Sequence, residues 1–259
     1  MTFAKILMTG AAVLAVTASA RAETAVGLVG DKTLVMFDTA TAKVSAKMDV
    51  TGVTKLLGID VRSADKKLYG VGADGSLVSI DTASGAATVV SKLDMMLPVG
   101  VMASVDFNPM ADKLRVMGSD GTNLRVDPAS GKVTKDGSLN WEPADANAAA
   151  KSNVVATAYL NSYGKPEKTA MYDIDSALGL LQQTKPNDGT LKTIGALGID
   201  KSANIAFDIH TTADGKNTAY LVAGTKLYTV DIASGKATAT GDITGAPGAI
   251  RDVTIMPAG

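Results

Sequence analysis

The chain has 259 residues, with 25 basic and 26 acidic side chains and a formal net charge of −1. It contains no cysteine and a single histidine, His210, which excludes disulfide scaffolds, thiolate nucleophiles, cysteine-ligated metal centres and multi-histidine metal sites. The balanced charge argues against nucleic acid as a partner, because binding to a phosphate backbone requires a basic face.

Residues 1–22 have the pattern of a secretory signal peptide. Lys5 precedes an apolar stretch over residues 6–16, and the sequence ARA at residues 20–22 provides an A-x-A cleavage site. The apolar stretch is too short to span a bilayer, and no later segment approaches the roughly 20 apolar residues that a span needs. We expect cleavage near Ala22, a periplasmic or secreted location, and a single domain over residues 23–259 with no membrane span.

One phrase recurs through the rest of the chain: a strand, an aspartate, a turn of small residues and a threonine-rich strand. It occurs at residues 34–43, 77–86, 124–132 and 227–236, with a weaker copy at 179–191. The turn glycine, or Ala42 in its place, falls at positions 42, 85, 131, 189 and 235. The repeat period is therefore near 46 residues, with one insertion.

A second phrase precedes the first, at residues 58–72, 104–118 and 206–224. Each copy is an apolar strand, a turn rich in Ala, Asp and Lys, and another apolar strand. The two phrases together give four strands per unit, which is typical of a β-propeller blade.

The two ends of the repeat array predict how the propeller closes. The chain after residue 22 begins directly in a second strand, and residues 250–257 have the pattern of a first strand with no unit after it. Pairing these ends completes one more blade. The sequence therefore predicts an all-β, five-bladed β-propeller closed by pairing of the C-terminal strand with the N-terminal blade. A β-sandwich of about twenty short strands is the alternative, and the regular period argues against it.

The first strands of the five units should line the central channel. Their alignment places one group of side chains at an equivalent position: Asp60, Asp106, Tyr159, Asp208 and Asp252. Two residues further on, and so on the same face of each strand, stand Arg62, Asn108, Asn161, His210 and Thr254. The aspartates either accept hydrogen bonds from the neighbouring blade or converge as like charges that need compensation. Arg62, Arg251 or a hard cation such as calcium would supply that compensation.

Two further features are candidates for recognition. Arg115 and Arg125 lie on adjacent predicted strands and either grip a carboxylate or phosphate ligand or form ion pairs with Asp120, Asp127 or an aspartate of a neighbouring blade. Trp141, the only tryptophan, lies in the insertion at residues 140–153, which is predicted to be a loop. It either stacks on a sugar or a protein partner or fills a gap between blades.

Four long phrases carry a resemblance to a known family, at residues 68–88, 104–139, 171–200 and 227–238. They resemble the bacterial exported family called domain of unknown function 4394. The resemblance implies an exported repeat domain, and it implies no activity, ligand or functional residue.

These observations favour an exported binding or interaction module whose partner is a small molecule, a glycan or an envelope protein. A periplasmic glycoside hydrolase or lyase at the channel mouth is an alternative, because that chemistry needs only two carboxylates, such as Asp60 with Asp208. A structural envelope protein is a further alternative. The sequence has no G-x-S-x-G motif whose serine His210 could activate as a base. No cofactor other than calcium is indicated.

Overall fold

The computed structural model describes residues 22–200 and 204–257. The predicted signal peptide at residues 1–22 lies outside these residues except for Ala22. The described residues form 21 β-strands, and none of them belongs to a helix that could cross a membrane.

The strands form five sheets, which are the five blades of a β-propeller. From the channel outward, blade 1 contains β21 (Ile250–Ile255), β1 (Thr24–Val29), β2 (Thr33–Asp38) and β3 (Val44–Asp49). Blade 2 contains β4 (Leu56–Val61), β5 (Leu68–Gly72), β6 (Ser76–Ile80) and β7 (Ala87–Lys92). Blade 3 contains β8 (Ala103–Asn108), β9 (Lys113–Gly118), β10 (Asn123–Val126) and β11 (Val133–Lys135).

Blade 4 contains β13 (Val154–Tyr159), β14 (Met171–Asp175), β15 (Gly179–Lys185), β16 (Thr190–Gly195) and an additional outer strand, β12 (Asn140–Trp141). Blade 5 contains β17 (Ile205–Thr211), β18 (Asn217–Ala223), β19 (Lys226–Val230) and β20 (Ala237–Asp242). The five inner strands contact one another in a closed ring, in the order β21, β4, β8, β13, β17 and back to β21.

The predicted closure is confirmed. β21 pairs antiparallel with β1, so that Ala25 lies opposite Ile255 and Gly27 lies opposite Val253. This pairing removes the free edge that β1 would otherwise expose at the channel.

The repeated aspartate and glycine of the first phrase build the turn between the third and fourth strands of a blade. In blade 2, Asp81 Oδ1 accepts the backbone N–H groups of Ala83 and Ser84 at 2.8 and 2.9 Å, which fixes an Asx turn. Gly85 then takes a φ of +75°, a conformation that favours glycine. Ala42 adopts the same left-handed conformation in blade 1, at φ 53°.

The same glycine also allows neighbouring blades to approach at the outer rim. A Cβ on Gly131 would lie 2.0 Å from the backbone oxygen of Lys92 in the preceding blade. The Gly131 carbonyl accepts the N–H of Asp94 at 3.2 Å, and the Gly85 carbonyl accepts that of Thr51 at 2.9 Å. The repeated glycine is therefore an interblade contact as well as a turn residue.

The apolar core lies between adjacent blades. Leu28 of blade 1 packs in one cluster with Leu56 and Ile59 of blade 2. Between blades 2 and 3, the rings of Tyr69 and Phe107 meet edge to face with centroids 5.3 Å apart. These contacts bury the inner strands, so that polar side chains on them, such as Asp60 and Asp106, have little contact with water.

Two boundary predictions in blade 4 were wrong. The segment 140–153 does not begin as a loop, because β12 pairs in parallel with β16 and so satisfies backbone groups on that edge. The inner strand, predicted at residues 157–161, is observed at Val154–Tyr159. Asn161 therefore lies beyond the strand, with a φ of 63°.

Candidate functional site

Three of the aligned aspartates converge inside the channel. Asp60 on β4, Asp106 on β8 and Asp208 on β17 each place a carboxylate oxygen within 4.8 Å of the other two. All three side chains are buried, with 5–7% of their surface exposed. We call these three residues the acidic cluster.

Each inner-strand aspartate also bonds to the inner strand that follows it around the ring. Asp60 Oδ2 accepts the N–H of Phe107 at 2.7 Å, and Asp106 Oδ1 accepts the N–H of Tyr159 at 3.0 Å. Asp208 Oδ2 accepts the N–H of Ile255 at 2.6 Å. The first interpretation of the aspartates, that they accept hydrogen bonds from the neighbouring blade, therefore describes these contacts. The second interpretation also applies, because the same three carboxylates lie close together.

The hydrogen bonds leave part of the acidic cluster without a donor. Each Asp60 oxygen accepts one hydrogen bond, since Thr254 Oγ1 donates to Oδ1 at 2.8 Å, and keeps a second lone pair. For Asp106, by contrast, no hydrogen bond from the described residues reaches Oδ2. Asp106, which lines the channel cavity, therefore presents a carboxylate oxygen that can take a proton or a ligand.

Burial and mutual repulsion both favour the neutral form of the acidic cluster. Burial raises the pKa of Asp60 well above its ordinary value, and the nearby charge of Asp208 raises it further. Burial also raises the pKa of Asp106, with Asp60 as the largest charge contribution. Burial raises the pKa of Asp208 to about 6. At neutral pH, three carboxylates at this distance cannot all be ionised unless a positive charge lies among them, and otherwise they take up protons.

The fourth aspartate, Asp252, does not join the acidic cluster. Its Oδ2 accepts the N–H of Ile59 at 2.8 Å, and it lies against Gly58, where a Cβ would be 2.7 Å from that oxygen. Burial raises the pKa of Asp252 to about 7. The fifth aligned residue, Tyr159, is fully buried between blades 3 and 4, where its hydroxyl accepts a hydrogen bond from Arg115 Nε at 3.2 Å.

The arginines expected to compensate the aspartates have other partners. Arg62 Nε donates to Asp112 Oδ1 at 2.7 Å, and the Arg62 side chain also pairs with Asp65 at 3.2 Å. Arg251 donates to three backbone carbonyls at the opposite end of the channel. For Arg62 that expectation was wrong, because Arg62 stands just beyond the end of β4 and reaches outward to surface loops. The charge of Arg251 acts on Asp252, whose pKa it lowers, and not on the acidic cluster.

A small cavity opens from the acidic cluster at the end of the channel where the inner strands end. Its volume is about 40 Å³, and we call this end the acidic mouth. His210 and Thr254 contribute to its wall, and the exposed Lys66 and Tyr163 also line it. His210 Nε2 lies 3.7 Å from Glu23 Oε2, and burial lowers the pKa of His210. The cavity has room for an ion or a few waters.

Asn108 and Asn161 do not line this cavity. Asn108 Oδ1 accepts the N–H groups of Met110 and Ala111 at 3.0 and 2.9 Å, and thereby caps the turn after β8. Asn161 Oδ1 accepts a hydrogen bond from Asn217 Nδ2 at 2.9 Å. Both residues lie where the inner strand ends and the chain turns away, so the period-2 argument no longer applies to them.

Arg115 and Arg125 do point to one place, but an internal carboxylate occupies it. Arg115 Nη1 lies 2.6 Å from Asp136 Oδ2, and Arg125 Nη2 lies 3.0 Å from Asp136 Oδ1. Arg115 is almost fully buried and donates further to Asn123 and Asn187. The pairing partner is therefore Asp136 of the same blade, rather than Asp120, Asp127 or an aspartate of a neighbouring blade. No sequence pattern pointed to Asp136, because it lies just after β11 and outside the repeated phrase.

Trp141 lies on β12 and is half-buried. Its indole Nε1 donates to the Ala150 carbonyl at 2.7 Å, and its ring packs against a cluster that contains Val154, Leu181 and Leu191. This placement matches the gap-filling interpretation, within blade 4 rather than between blades.

The fold and the site together define an exclusively β-stranded five-bladed propeller with buried carboxylates at one channel mouth. The family model described as "Domain of unknown function (DUF4394)" matches residues 33–254. The chain therefore belongs to this family. No curated protein matches the sequence.

Two solved structures of similar shape are described as proteins of unknown function. A protein of unknown function from Bacteroides thetaiotaomicron is 17% identical, with a TM-score of 0.54, over 93% of this chain and 68% of that one. A protein of unknown function from Bacteroides caccae is 10% identical, with a TM-score of 0.44, over 83% of this chain and 72% of that one. At such identities the first likeness supports the fold alone.

Proposed function

We propose that this protein is an exported binding module that holds a divalent cation, calcium being the best match, between Asp60, Asp106 and Asp208. The observation that carries the proposal is the convergence of three carboxylate oxygens within 4.8 Å. Calcium binds oxygen ligands at about 2.3–2.6 Å. Ligands on opposite sides of one ion are therefore separated by roughly 5 Å, which these three oxygens match.

The electrostatics of the acidic cluster support the same ligand. The carboxylates are buried and repel one another, which raises their pKa values, and a dication would replace the protons they otherwise take up. The neighbouring arginines are committed elsewhere, and Lys66 is exposed to water, where its charge is screened. The cavity of about 40 Å³ would hold the waters that complete the coordination shell.

The size of the cavity favours binding of an ion over hydrolysis of a glycoside. Sites for organic ligands measure roughly 300–1,000 Å³, whereas the acidic mouth encloses about 40 Å³. A sugar ring would not reach both Asp60 and Asp208. A glycan, a small anion or an envelope protein would instead contact the open side of the bound cation.

Thermal unfolding of the folded domain tests the cation. After chelator treatment, calcium at 100 times its Kd should stabilise the protein by about 2.7 kcal/mol. For a domain of this size, that corresponds to a rise in Tm of roughly 5–10 °C. Asp106→Asn should abolish the response, because it removes the carboxylate with the free oxygen.

The matched control is Asp252→Asn, which changes another buried inner-strand aspartate outside the acidic cluster and should keep the calcium response. An unchanged Tm of the wild type at millimolar calcium would remove the cation proposal. Equal responses of the wild type and Asp106→Asn would place the ion elsewhere.

A further inference from the structure

The channel has a second mouth, at the end where the inner strands begin. The pocket there measures about 510 Å³, which is within the range of sites for small organic ligands. We call it the apolar mouth because hydrocarbon side chains dominate its wall: Leu57, Leu97, Val101, Ala103, Val155 and Ile205. Leu57 and Val61 mark the two mouths on β4, four residues or about 13 Å apart.

The charged side chains at the apolar mouth are both positive. Among its described lining residues, Lys55 and Arg251 carry charge and no acidic side chain is present. Lys55 Nζ lies 3.3 Å from Asp31, but both side chains are more than half exposed, so this pair is weak.

Arg251 has hydrogen-bonding capacity to spare. Its guanidinium donates to the carbonyls of Gly30, Leu56 and Leu57, which uses three of its five N–H groups. None of the described carboxylates lies within ion-pair distance of it. Two N–H groups therefore remain for a ligand, and among the described residues the only carboxylate charges that act on the guanidinium are those of Asp252 and Asp31, from beyond that distance.

An apolar loop borders the same pocket. The segment 94–102 exposes Met95, Val99 and Met102, and Val99 is fully exposed to solvent. Large apolar side chains that cluster in water beside an apolar pocket mark a contact surface. Methionines suit such a surface because their unbranched side chains adapt to different shapes.

We propose that the apolar mouth binds an amphipathic anion, a carboxylate carried on a hydrocarbon chain. The carboxylate would bind Arg251 with support from Lys55, and the hydrocarbon would lie along the inner-strand wall under the loop at residues 94–102. This site is separate from the acidic cluster, and its occupancy does not depend on calcium.

Calorimetric titration with octanoate, decanoate and dodecanoate, each below its micelle concentration and with a calcium chelator present, tests the proposal. The affinity should increase about fourfold for each added methylene group that the pocket buries. Decanoate should bind at least tenfold more tightly than decyltrimethylammonium, which has the same chain and the opposite charge. Equal affinity for the two head groups would overturn the proposal.

Two variants locate the binding. Val155→Trp fills the pocket from β13 and should reduce decanoate affinity at least tenfold. The matched control is Val89→Trp on β7, where the original side chain is 63% exposed, and it should bind as the wild type does. Unchanged binding by Val155→Trp would overturn the proposed location.

Arg251→Gln should weaken decanoate about tenfold and leave decyltrimethylammonium unaffected. Since Arg251 also binds backbone carbonyls, Lys55→Gln provides a milder change at an exposed side chain, with an expected loss of about threefold. Association with anionic lipid vesicles without any binding of alkyl carboxylates would overturn the proposal in favour of a membrane surface.

Discussion

Asp173 on β14 is a buried carboxyl group with an incomplete set of partners. Thr157 Oγ1 donates to its Oδ1 at 2.7 Å, but within the described part of the chain neither Asp173 Oδ2 nor the neighbouring Gln183 Oε1 has a hydrogen-bond partner. Burial raises the pKa of Asp173 to about 7. A proton on Asp173 would supply a hydrogen-bond donor where two acceptors lack one. This is the physical reason that the folded protein keeps the proton on Asp173.

This proton makes stability depend on pH. The folded state keeps the Asp173 proton up to about pH 7, whereas an unfolded aspartate releases it near pH 3.8. The folded state therefore binds more protons between these values, and the free energy of unfolding should fall as pH rises through that window. Asp173→Asn removes this dependence, because the amide does not titrate.

The expected result is that the wild type loses at least about 5 °C in Tm relative to Asp173→Asn between pH 5 and pH 8. Asp175→Asn is the control, because Asp175 lies on the same strand and already accepts backbone N–H groups of Asn153, Ala177 and Leu178. A pH-independent difference between the wild type and Asp173→Asn would show that the folded carboxyl group is ionised.

At the scale of the element, the turn of the repeated phrase is held by hydrogen bonds between residues close in the chain. Asp127 Oδ1 accepts the N–H groups of Ala129 and Ser130, as Asp81 does in its own turn. Asp231 repeats the contact with the N–H of Ala233 at 2.8 Å. Since these bonds span only two or three residues, the sequence pattern was sufficient to predict these turns.

The closing strand β21 is the element on which the ring depends. Ile250, Val253 and Ile255 are buried, and Asp252 and Thr254 accept N–H groups of β4. A chain that ends at Ala249 would expose the inner edge of β1 and the flank of β4. We expect this truncated chain to lose the cooperative unfolding transition. Addition of a peptide of residues 248–259 should restore the transition.

A chain that ends at Pro257 is the control and should unfold as the full chain does. Circular dichroism against temperature measures both. If the chain that ends at Ala249 unfolds at the same temperature as the full chain, β21 contributes nothing essential to closure.

At the scale of the whole molecule, the residue that follows the predicted cleavage position is bonded to the first blade. Glu23 is buried, its backbone N–H donates to Thr39 Oγ1 at 3.1 Å, and its carbonyl accepts the Thr39 N–H at 2.9 Å. We propose export with cleavage after Ala22, so that Glu23 becomes the first residue of the mature protein. A positively charged amino terminus at Glu23 would keep the hydrogen bond to Thr39.

Expression of the full sequence in a Gram-negative host, followed by fractionation and N-terminal sequencing, tests this proposal. The periplasmic protein should begin at Glu23. Ala20→Arg should block cleavage, because a small residue is required two positions before the last residue of the signal peptide. A cytoplasmic protein that begins at Met1 would contradict export.

The sequence by itself determined the architecture of this protein. The 46-residue period, the Asx turns and the unpaired end strands predicted five blades and their closure, because turn chemistry and strand alternation are local. Only the tertiary structure decided which polar residues meet. Asp60 bonds to the residue after Asp106, whereas Asp208 bonds to the third residue after Asp252. Neighbouring inner strands are therefore shifted along their length by different numbers of residues. This difference in shift separates Asp252 from the acidic cluster. Such shifts, like the apolar mouth, arise from packing between residues distant in the chain.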